Sequence, residues 1–256
     1  MNTMNASRFL ATFVNNEHRP DSVVPAELEV PEPLRAPLID ALLTFQAGET
    51  GEGRIVAEAA RHARGDADFV TTMRLYIAEE GRHARELGKL VRALGGTVRT
   101  DVRTANAFRQ ARRLIGFRTK MLVLAAAEIV GIVFYELLAE RVPCPPLCEV
   151  VRRIAKEEHR HLHYQHAYFD SLGWPGGARV ALNSATLAAT AAFVWDQRAL
   201  LRVLGVSRRE VFQRAKDLCV AASPPEFEAA NVQSKDNAEA LNGARVGRTA
   251  ALTMMV

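Results

Sequence analysis

Apolar residues recur along this chain at the i, i+3, i+4, i+7 spacing of amphipathic helices, whereas the alternating pattern of a half-buried strand is almost absent. Glycine and proline interrupt this pattern at intervals and thereby mark the ends of successive helices. We therefore predict an all-α protein. The predicted helices cover residues 5–15, 34–64, 67–94, a segment that ends near 141, residues 146–172 and 179–204, and shorter segments after 207 and after 225.

The apolar stripe of each of the four long predicted helices is interrupted by a glutamate. In two of these helices a histidine follows the glutamate three residues later, so it lies on the same helix face. A carboxylate that faces a protein core loses its hydration, and it therefore needs a counter-charge or takes up a proton. The residues concerned are Glu49 in the first helix, Glu80 and His83 in the second, Glu128 in the third, and Glu158 and His161 in the fourth.

Glu128 gives the clearest indication of a buried charge. It is the only charged residue between Met121 and Tyr135, in a run that is otherwise apolar. If all four helices face one core, their glutamates repel one another there, and two divalent or trivalent cations would neutralise them. His83 and His161 would then supply neutral nitrogen ligands. A site rich in carboxylates with imidazole suits iron or manganese better than ions that prefer thiolates.

The positions of the glutamates relative to the predicted turns support a shared site. Glu49 and Glu80 lie 16 and 15 residues either side of Gly65, and the glutamates of the third and fourth helices each lie 15 residues from Pro143. At a rise of 1.5 Å per residue, each glutamate is about 22–24 Å from its turn, so all of them reach the same level. The second pair also repeats the first at an offset of 78 or 79 residues. Two similar helical hairpins, joined by a crossover connection, would close into a four-helix bundle.

The combined pattern resembles the metal-ligand set of the ferritin-like di-iron carboxylate proteins. Locally, Gln46-Ala-Gly-Glu49-Thr is similar to the first ligand segment of rubrerythrins, and Ala78-Glu-Glu80-Gly-Arg-His83-Ala is similar to their second. The resemblance covers about residues 34–172 and implies a ferritin-like four-helix bundle with two iron ions, or with manganese or a mixed Mn/Fe pair instead. The implied metal ligands are Glu49, Glu80, His83, Glu128, Glu158 and His161.

The choice of glutamate before each histidine stays open. Glu79 and Glu157 precede Glu80 and Glu158 and lie at the i, i+4 spacing from the histidines, so they could ligate in their place. We favour the later glutamate of each pair, because the helix faces that carry the earlier ones also carry polar residues.

Three further residues are candidates for a catalytic role beside the ligands. Glu52 faces inward one turn after Glu49, and it is a second candidate for the first-helix ligand or for an acid next to the site. Tyr76 and Tyr135 lie within two turns of a proposed ligand, on the same helix face. In the family that the pattern resembles, such tyrosines hydrogen-bond ligands, transfer electrons or form radicals. Packing in the core is the alternative interpretation for both.

The densest group of histidines contains four within eight residues, at His159, His161, His163 and His166. Helical periodicity separates them, because all but His161 lie on a face rotated by more than about 90° from that of Glu158. We therefore expect the other three to lie on an interfacial or solvated face rather than to form a second metal site.

Composition and charge exclude several protein classes. The 256 residues carry a net charge of +4 and are 48% hydrophobic, which is typical of a globular protein and excludes a disordered or collagen-like chain. Three cysteines and an N-terminus interrupted early by charged residues favour a soluble, cytoplasmic protein. Seven basic residues between Arg99 and Lys120 would suit an acidic partner or RNA, but a solvated crossover is the preferred interpretation.

These observations lead to a predicted function and domain organisation. Residues 1–33 are expected to form an N-terminal segment, 34–172 the metal-binding bundle, and 173–256 a C-terminal helical extension packed on it. The resemblance implies O₂ activation at a carboxylate-bridged di-iron site, and the extra C-terminal helices favour oxidation or hydroxylation of an organic small molecule. Iron oxidation and storage, or removal of peroxide, are the alternatives. The expected partners are O₂, the substrate and an external electron donor. A homodimer is a candidate assembly, no membrane is expected, and nucleic acid is disfavoured, with tRNA left open.

Overall fold

The computed structural model describes residues 6–50, 54–62, 66–99, 116–174 and 176–220, and every secondary-structure element in these ranges is a helix. The all-helical prediction is therefore confirmed for this part of the chain. The helices are α1 (Ala6–Glu17), α2 (Glu32–Glu49), α3 (Arg54–His62), α4 (Ala67–Ala93), α5 (Phe117–Arg141), α6 (Pro145–Ser171), α7 (Ala178–Asp196), α8 (Arg198–Val203) and α9 (Arg208–Val220).

Two helices end earlier than the periodicity predicts. The helix predicted over 34–64 is interrupted after Glu49, where Thr50 leaves the helical region with a ψ of 79°. Glycines at positions 48, 51 and 53 lower the helix propensity of this segment. The helix predicted over 179–204 is divided at Gln197, whose φ of −93° and ψ of 17° turn the chain between α7 and α8.

Three sequence predictions fall outside the described residues. They concern Glu52, the part of the basic segment that spans residues 100–115, and the helix expected after residue 225.

Local signals define both ends of α4, which carries two of the candidate ligands. Asp66 precedes the helix, and its side chain accepts a hydrogen bond from the backbone N–H of Phe69 at 2.9 Å. Such an N-cap contributes about 1 kcal/mol. After the helix, Gly95 adopts a positive φ of 85°, a conformation that favours glycine and ends the helix. These two signals fix the ends of α4 and therefore the positions of its middle residues along the helix axis.

The long helices pack in two pairs, α2 along α4 and α5 along α6, and α4 also contacts α6. α1 packs on α4, α7 and α9 pack on α5, and α8 packs on α2. Between the pairs, Phe45 of α2 stacks on Phe134 of α5 with ring centroids 3.8 Å apart. Leu38 and Leu87 are fully buried, and each such side chain contributes about 1.5–3 kcal/mol. The domain division at residues 33 and 172 stays a prediction.

One helix within the described ranges, Phe117–Arg141, is long and apolar enough to cross a membrane. In the fold, 72% of its most apolar window is buried against other helices, as in the core helix of a globular protein. This burial is consistent with a soluble protein.

Candidate metal centre

Six buried side chains from four helices meet in two overlapping groups. In each group, one potential ligand atom from every residue lies within 4.8 Å of the others, which is the size of a cation site. The first group contains Glu49, Glu80, His83 and Glu158, and the second contains Glu80, Glu128, Glu158 and His161. The structure therefore brings together all six residues that the resemblance implies as ligands, while their role as ligands stays a prediction.

The two helical pairs contribute to the groups in the same way. α4 supplies Glu80 and His83 from one face, because residues three apart in a helix are neighbours on its surface. α6 supplies Glu158 and His161 by the same spacing, and α2 and α5 add one glutamate each. No residue of the two groups is more than 8% exposed. The repeat seen in the sequence is thus also a repeat in the geometry of the centre.

The inner ring nitrogens of the histidines lie close to carboxylate oxygens. His83 Nδ1 is 2.7 Å from Glu158 Oε1, and His161 Nδ1 is 3.0 Å from both Glu80 Oε1 and Glu158 Oε2. His83 Nδ1, Glu80 Oε1 and Glu158 Oε1 are nevertheless buried atoms without a hydrogen bond of proper geometry. Buried polar atoms are paired as a rule. Nitrogen and oxygen atoms that converge in this way without a hydrogen bond are able to coordinate a cation between them. These residues therefore fit the metal pair that the resemblance implies.

The alternative ligands, Glu79 and Glu157, lie on the outer side of the histidines. Glu157 accepts a hydrogen bond from His83 Nε2 at 2.7 Å, and Glu79 accepts one from His161 Nε2 at 2.9 Å. Each hydrogen bond joins α4 to α6. In the first the histidine lies on α4 and the glutamate on α6, and in the second the two helices exchange these roles. In the neutral imidazole, a carboxylate on Nε2 keeps the proton there, so Nδ1 would offer its lone pair to a cation in the centre. The structure thus gives Glu79 and Glu157 contacts to the histidines rather than places in the two groups.

Arginines compensate the charge of the outer carboxylates. Arg82 Nη2 lies 2.9 Å from Glu157 and 3.5 Å from Glu79, and Arg19 Nη1 lies 2.7 Å from Glu157. Burial alone would raise the pKa of Glu157, but His83 and Arg82 hold it well below its ordinary range. Glu157 therefore stays ionised at neutral pH and remains an acceptor for His83. Neither arginine could be assigned a role from the sequence, because both contacts to Glu157 join segments that are distant in the chain.

Tyr76 and Tyr135 each hold one glutamate of the centre. Tyr76 donates its hydroxyl proton to Glu128 at 2.5 Å, and Tyr135 donates to Glu49 at the same distance. Burial, together with the neighbouring glutamates, raises the pKa of both hydroxyls, so they stay protonated donors. Gln165 also donates to Glu128, at 3.0 Å. No role was predicted for Gln165 from the sequence, although it lies in the same apolar stripe as the candidate ligands of α6.

The groups of the centre shift one another's pKa values. Burial and the neighbouring glutamates raise the pKa of Glu49 and Glu128 well above the ordinary value. Burial lowers the pKa of His83 and His161, but the surrounding glutamates, with Glu158 the strongest among them, together outweigh it and raise both. Without a cation, the centre therefore holds protons on carboxylates and imidazoles, and a bound cation would replace them.

An apolar cavity of about 210 Å³ borders the glutamate side of the centre. Its inner end is formed by Glu49, Glu80 and Glu128, and its walls come from α2, α5 and α7. Its outer end lies where α7 ends, at the exposed Asp196. None of the described residues that line it is a histidine. A small molecule in this cavity would therefore approach the centre from the glutamate side.

The histidine side of the centre is covered by α1 and the segment that follows it. Phe13 stacks on His161 with ring centroids 5.7 Å apart. Ser22 donates its backbone N–H and its hydroxyl proton to the buried Glu86, at 2.6 and 2.9 Å. Together with Arg19, these contacts shield the histidines from solvent, and both His83 and His161 are fully buried.

The other histidines of the dense group lie elsewhere in the described structure. His159 lies 2.9 Å from a carboxylate oxygen of the half-buried Glu136, and His163 packs near Phe9 with ring centroids 5.3 Å apart. His166 is only 7% exposed and meets Trp174 edge to face with ring centroids 5.7 Å apart, so of the two positions expected for it, the solvated one is wrong. Its helix face is covered by the turn after α6, which periodicity within one helix does not reveal.

No family model matches this chain, and neither a search of curated proteins nor a search of solved structures finds a match.

Proposed function

We propose that this protein is an oxidoreductase with a ferritin-like four-helix bundle, which holds two iron ions and uses O₂ to oxidise or hydroxylate an organic small molecule. The observation that carries the proposal is the pair of overlapping groups that share Glu80 and Glu158. The packing of α2 along α4 and of α5 along α6 supports the bundle arrangement.

The donor set is well suited to a pair of cations. Glu80 and Glu158 would hold both ions, Glu49 with His83 would complete one site, and the remaining glutamate and histidine would complete the other. Carboxylates with imidazole suit iron, with manganese as the alternative. Two bound iron ions would supply the redox chemistry for the reduction of O₂.

The protein's own residues prepare the centre for this chemistry. Glu157 and Glu79 orient the histidines and keep their inner nitrogens available. Tyr76 and Tyr135 fix the carboxylates of α5 and α2 through hydrogen bonds. The cover formed by α1 excludes water from the histidine side. The centre is thus preorganised on one side and accessible on the other.

The cavity favours an organic substrate over iron storage. A path for iron ions into a store would need polar or charged side chains along its length, whereas most of the wall of this cavity is apolar and includes Phe45, Leu124 and Phe193. Pockets for small organic molecules are mostly apolar with a few polar groups, as here.

The experiment that tests the proposal measures metal content and O₂ consumption on the same samples. After anaerobic loading with Fe(II), we expect two iron atoms per chain by elemental analysis, and O₂ consumption on exposure to air. Glu80→Ala and His161→Ala should lose both properties together. Glu136→Ala is the matched control, because Glu136 is a half-buried glutamate outside both groups. A Glu80→Ala protein that keeps two ions would contradict the ligand assignment, and many iron atoms per chain would indicate a store.

A further inference from the structure

The cavity beside the centre has an uneven distribution of charge. Its inner end carries Glu49, Glu80 and Glu128, and its outer end carries Asp196. Neither lysine nor arginine occurs among the residues that the structure places along its walls. Two divalent cations would balance the four glutamates of the two groups. In the loaded protein, Asp196 then bears the unbalanced charge along the cavity.

Asp196 is held in place at the opening of the cavity. Gln197 is 5% exposed, and its amide nitrogen donates to Asp196 Oδ2 at 2.6 Å. The nearest cation in sequence, Arg198, donates instead to the backbone carbonyl of Trp195 at 2.8 Å and lies over the Trp195 ring. Within the described part of the chain, no cation pairs with Asp196. A positioned carboxylate therefore faces the opening without a counter-charge.

The body of the cavity suits an apolar group. Phe45 and Phe193 meet edge to face, with ring centroids 5.9 Å apart, and form an aromatic wall. Ala127 and Gly131 of α5 also line the cavity, and neither carries a side chain large enough to fill it. Ala189 of α7 is a third small residue on the wall. The cavity thus has room for a hydrocarbon or aromatic body between the glutamates and Asp196.

We infer that the substrate is an apolar molecule with a cationic amine at one end, whose body lies in the cavity and whose ammonium group pairs with Asp196. This inference rests on the proposed function, since it names the substrate class of the same centre. A carboxylate or phosphate in place of the amine would face Asp196 without a compensating cation. Like charges disfavour such a complex, whereas opposite charges favour the amine.

The test compares three probes of equal length: 1-octylamine, 1-octanol and octanoate. Calorimetric titration of the metal-loaded protein should show binding of the amine, with octanoate weaker by about tenfold. Because Asp196 is exposed, its pairing is worth about threefold to fivefold, so Asp196→Asn should weaken the amine by that factor and leave octanol unchanged. Salt should reduce the preference for the amine. Asp217→Asn, an exposed position on α9, is the matched control.

A second variant tests whether the probes bind in the cavity. Ala192 is an exposed residue that lines the opening one turn before Asp196, so Ala192→Trp should block it without disturbing the core. The Ala192→Trp protein should bind all three probes more weakly than the wild type, while its metal content stays the same. Octanoate that binds as well as the amine, a wild type that binds none of the probes, or an Asp196→Asn protein with unchanged preference would overturn the inference.

The titrations are run with and without metal, so the substrate class is tested in either state. A protein that holds no metal yet still shows an amine preference that depends on Asp196 would contradict the proposed function alone. A loaded protein that consumes O₂ but shows no such preference would contradict the substrate class alone.

Discussion

His83 on α4 and Glu157 on α6 are joined by a hydrogen bond of 2.7 Å between Nε2 and a carboxylate oxygen. The same relationship recurs with exchanged helices, where His161 on α6 bonds to Glu79 on α4 at 2.9 Å. Each helix therefore supplies a histidine to the centre and a carboxylate that orients the histidine of the other helix. This reciprocal arrangement ties α4 to α6 and fixes both imidazoles at once.

Replacing Glu157 by glutamine should weaken metal binding without abolishing it. The amide keeps the size of the side chain but loses the charge that holds the proton on His83 Nε2, so the inner nitrogen is less well fixed. Loss of such an outer partner lowers metal affinity by about 10–100-fold. Competition with a chelator of known affinity measures the effect. Glu136→Gln serves as the control, and an unchanged affinity in Glu157→Gln would contradict the orienting role.

The hydrogen bonds that the two tyrosines donate should contribute measurably to the free energy of unfolding. Tyr135→Phe removes the hydroxyl that donates to Glu49 and leaves a buried carboxyl group with one partner fewer. Because Glu49 holds a proton in the metal-free protein, this is a hydrogen bond between neutral groups, which contributes about 0.5–1.5 kcal/mol. The free energy of unfolding of the metal-free protein should fall by about that amount in urea denaturation. Tyr76→Phe should behave similarly through Glu128. We expect both variants to keep their metal, and an unchanged or higher stability would show that these bonds do not support the centre.

The residues of the two groups could be predicted because a glutamate in an apolar stripe is an energetic anomaly. Glu128 is the clearest case, since its neighbours on the helix face are apolar and it is 6% exposed in the structure. The repeat of Glu80 and His83 as Glu158 and His161 added a second, independent signal. Both signals are spacings of residues along the chain, so they can be read without knowing how the helices pack.

The outer contacts could not be predicted, because they depend on how helices pack. Adjacent glutamates such as Glu157 and Glu158 differ by about 100° around the helix, and only the position of α4 decides which of them meets His83. The cavity likewise exists because α7 lies on α5, and the periodicity of either helix alone contains no information about that contact. The turn at Gln197 also has no proline or glycine to mark it.

Removal of the aromatic cover over the histidines should destabilise the fold. Phe13 is 1% exposed and stacks on His161, so Phe13→Ala leaves a cavity next to the centre. Such truncations lower the free energy of unfolding by about 3–5 kcal/mol. The adjacent Val14 is 45% exposed, and Val14→Ala should change stability by less than about 0.5 kcal/mol. Equal effects of the two substitutions in urea denaturation would mean that α1 does not cover the centre.

The stability of the metal-free protein should fall as the pH rises above neutral. Burial and neighbouring carboxylates raise the pKa of Glu49 and Glu128, and the surrounding glutamates together raise that of His83 and His161 in spite of burial. A group whose pKa is higher in the folded protein contributes stability that is complete below its unfolded pKa and is lost as the pH rises through the folded value. The unfolded value is about 4.3 for a glutamate and about 6.5 for a histidine, so the two glutamates should start the decline in the acidic range and the histidines should add to it above about pH 6.5.

Bound metal should remove this decline, because the cations replace the protons in the folded protein. Metal binding should then release protons, and calorimetry in buffers of different ionisation enthalpies counts them. Affinity should rise with pH over the range in which the metal-free protein loses stability. The carboxylates with lowered pKa, such as Glu157, act in the opposite sense, but only below about pH 4.5, where their unfolded forms take up protons. A metal-free protein that becomes more stable between about pH 6.5 and 8.5 would therefore contradict the protonated state of the centre.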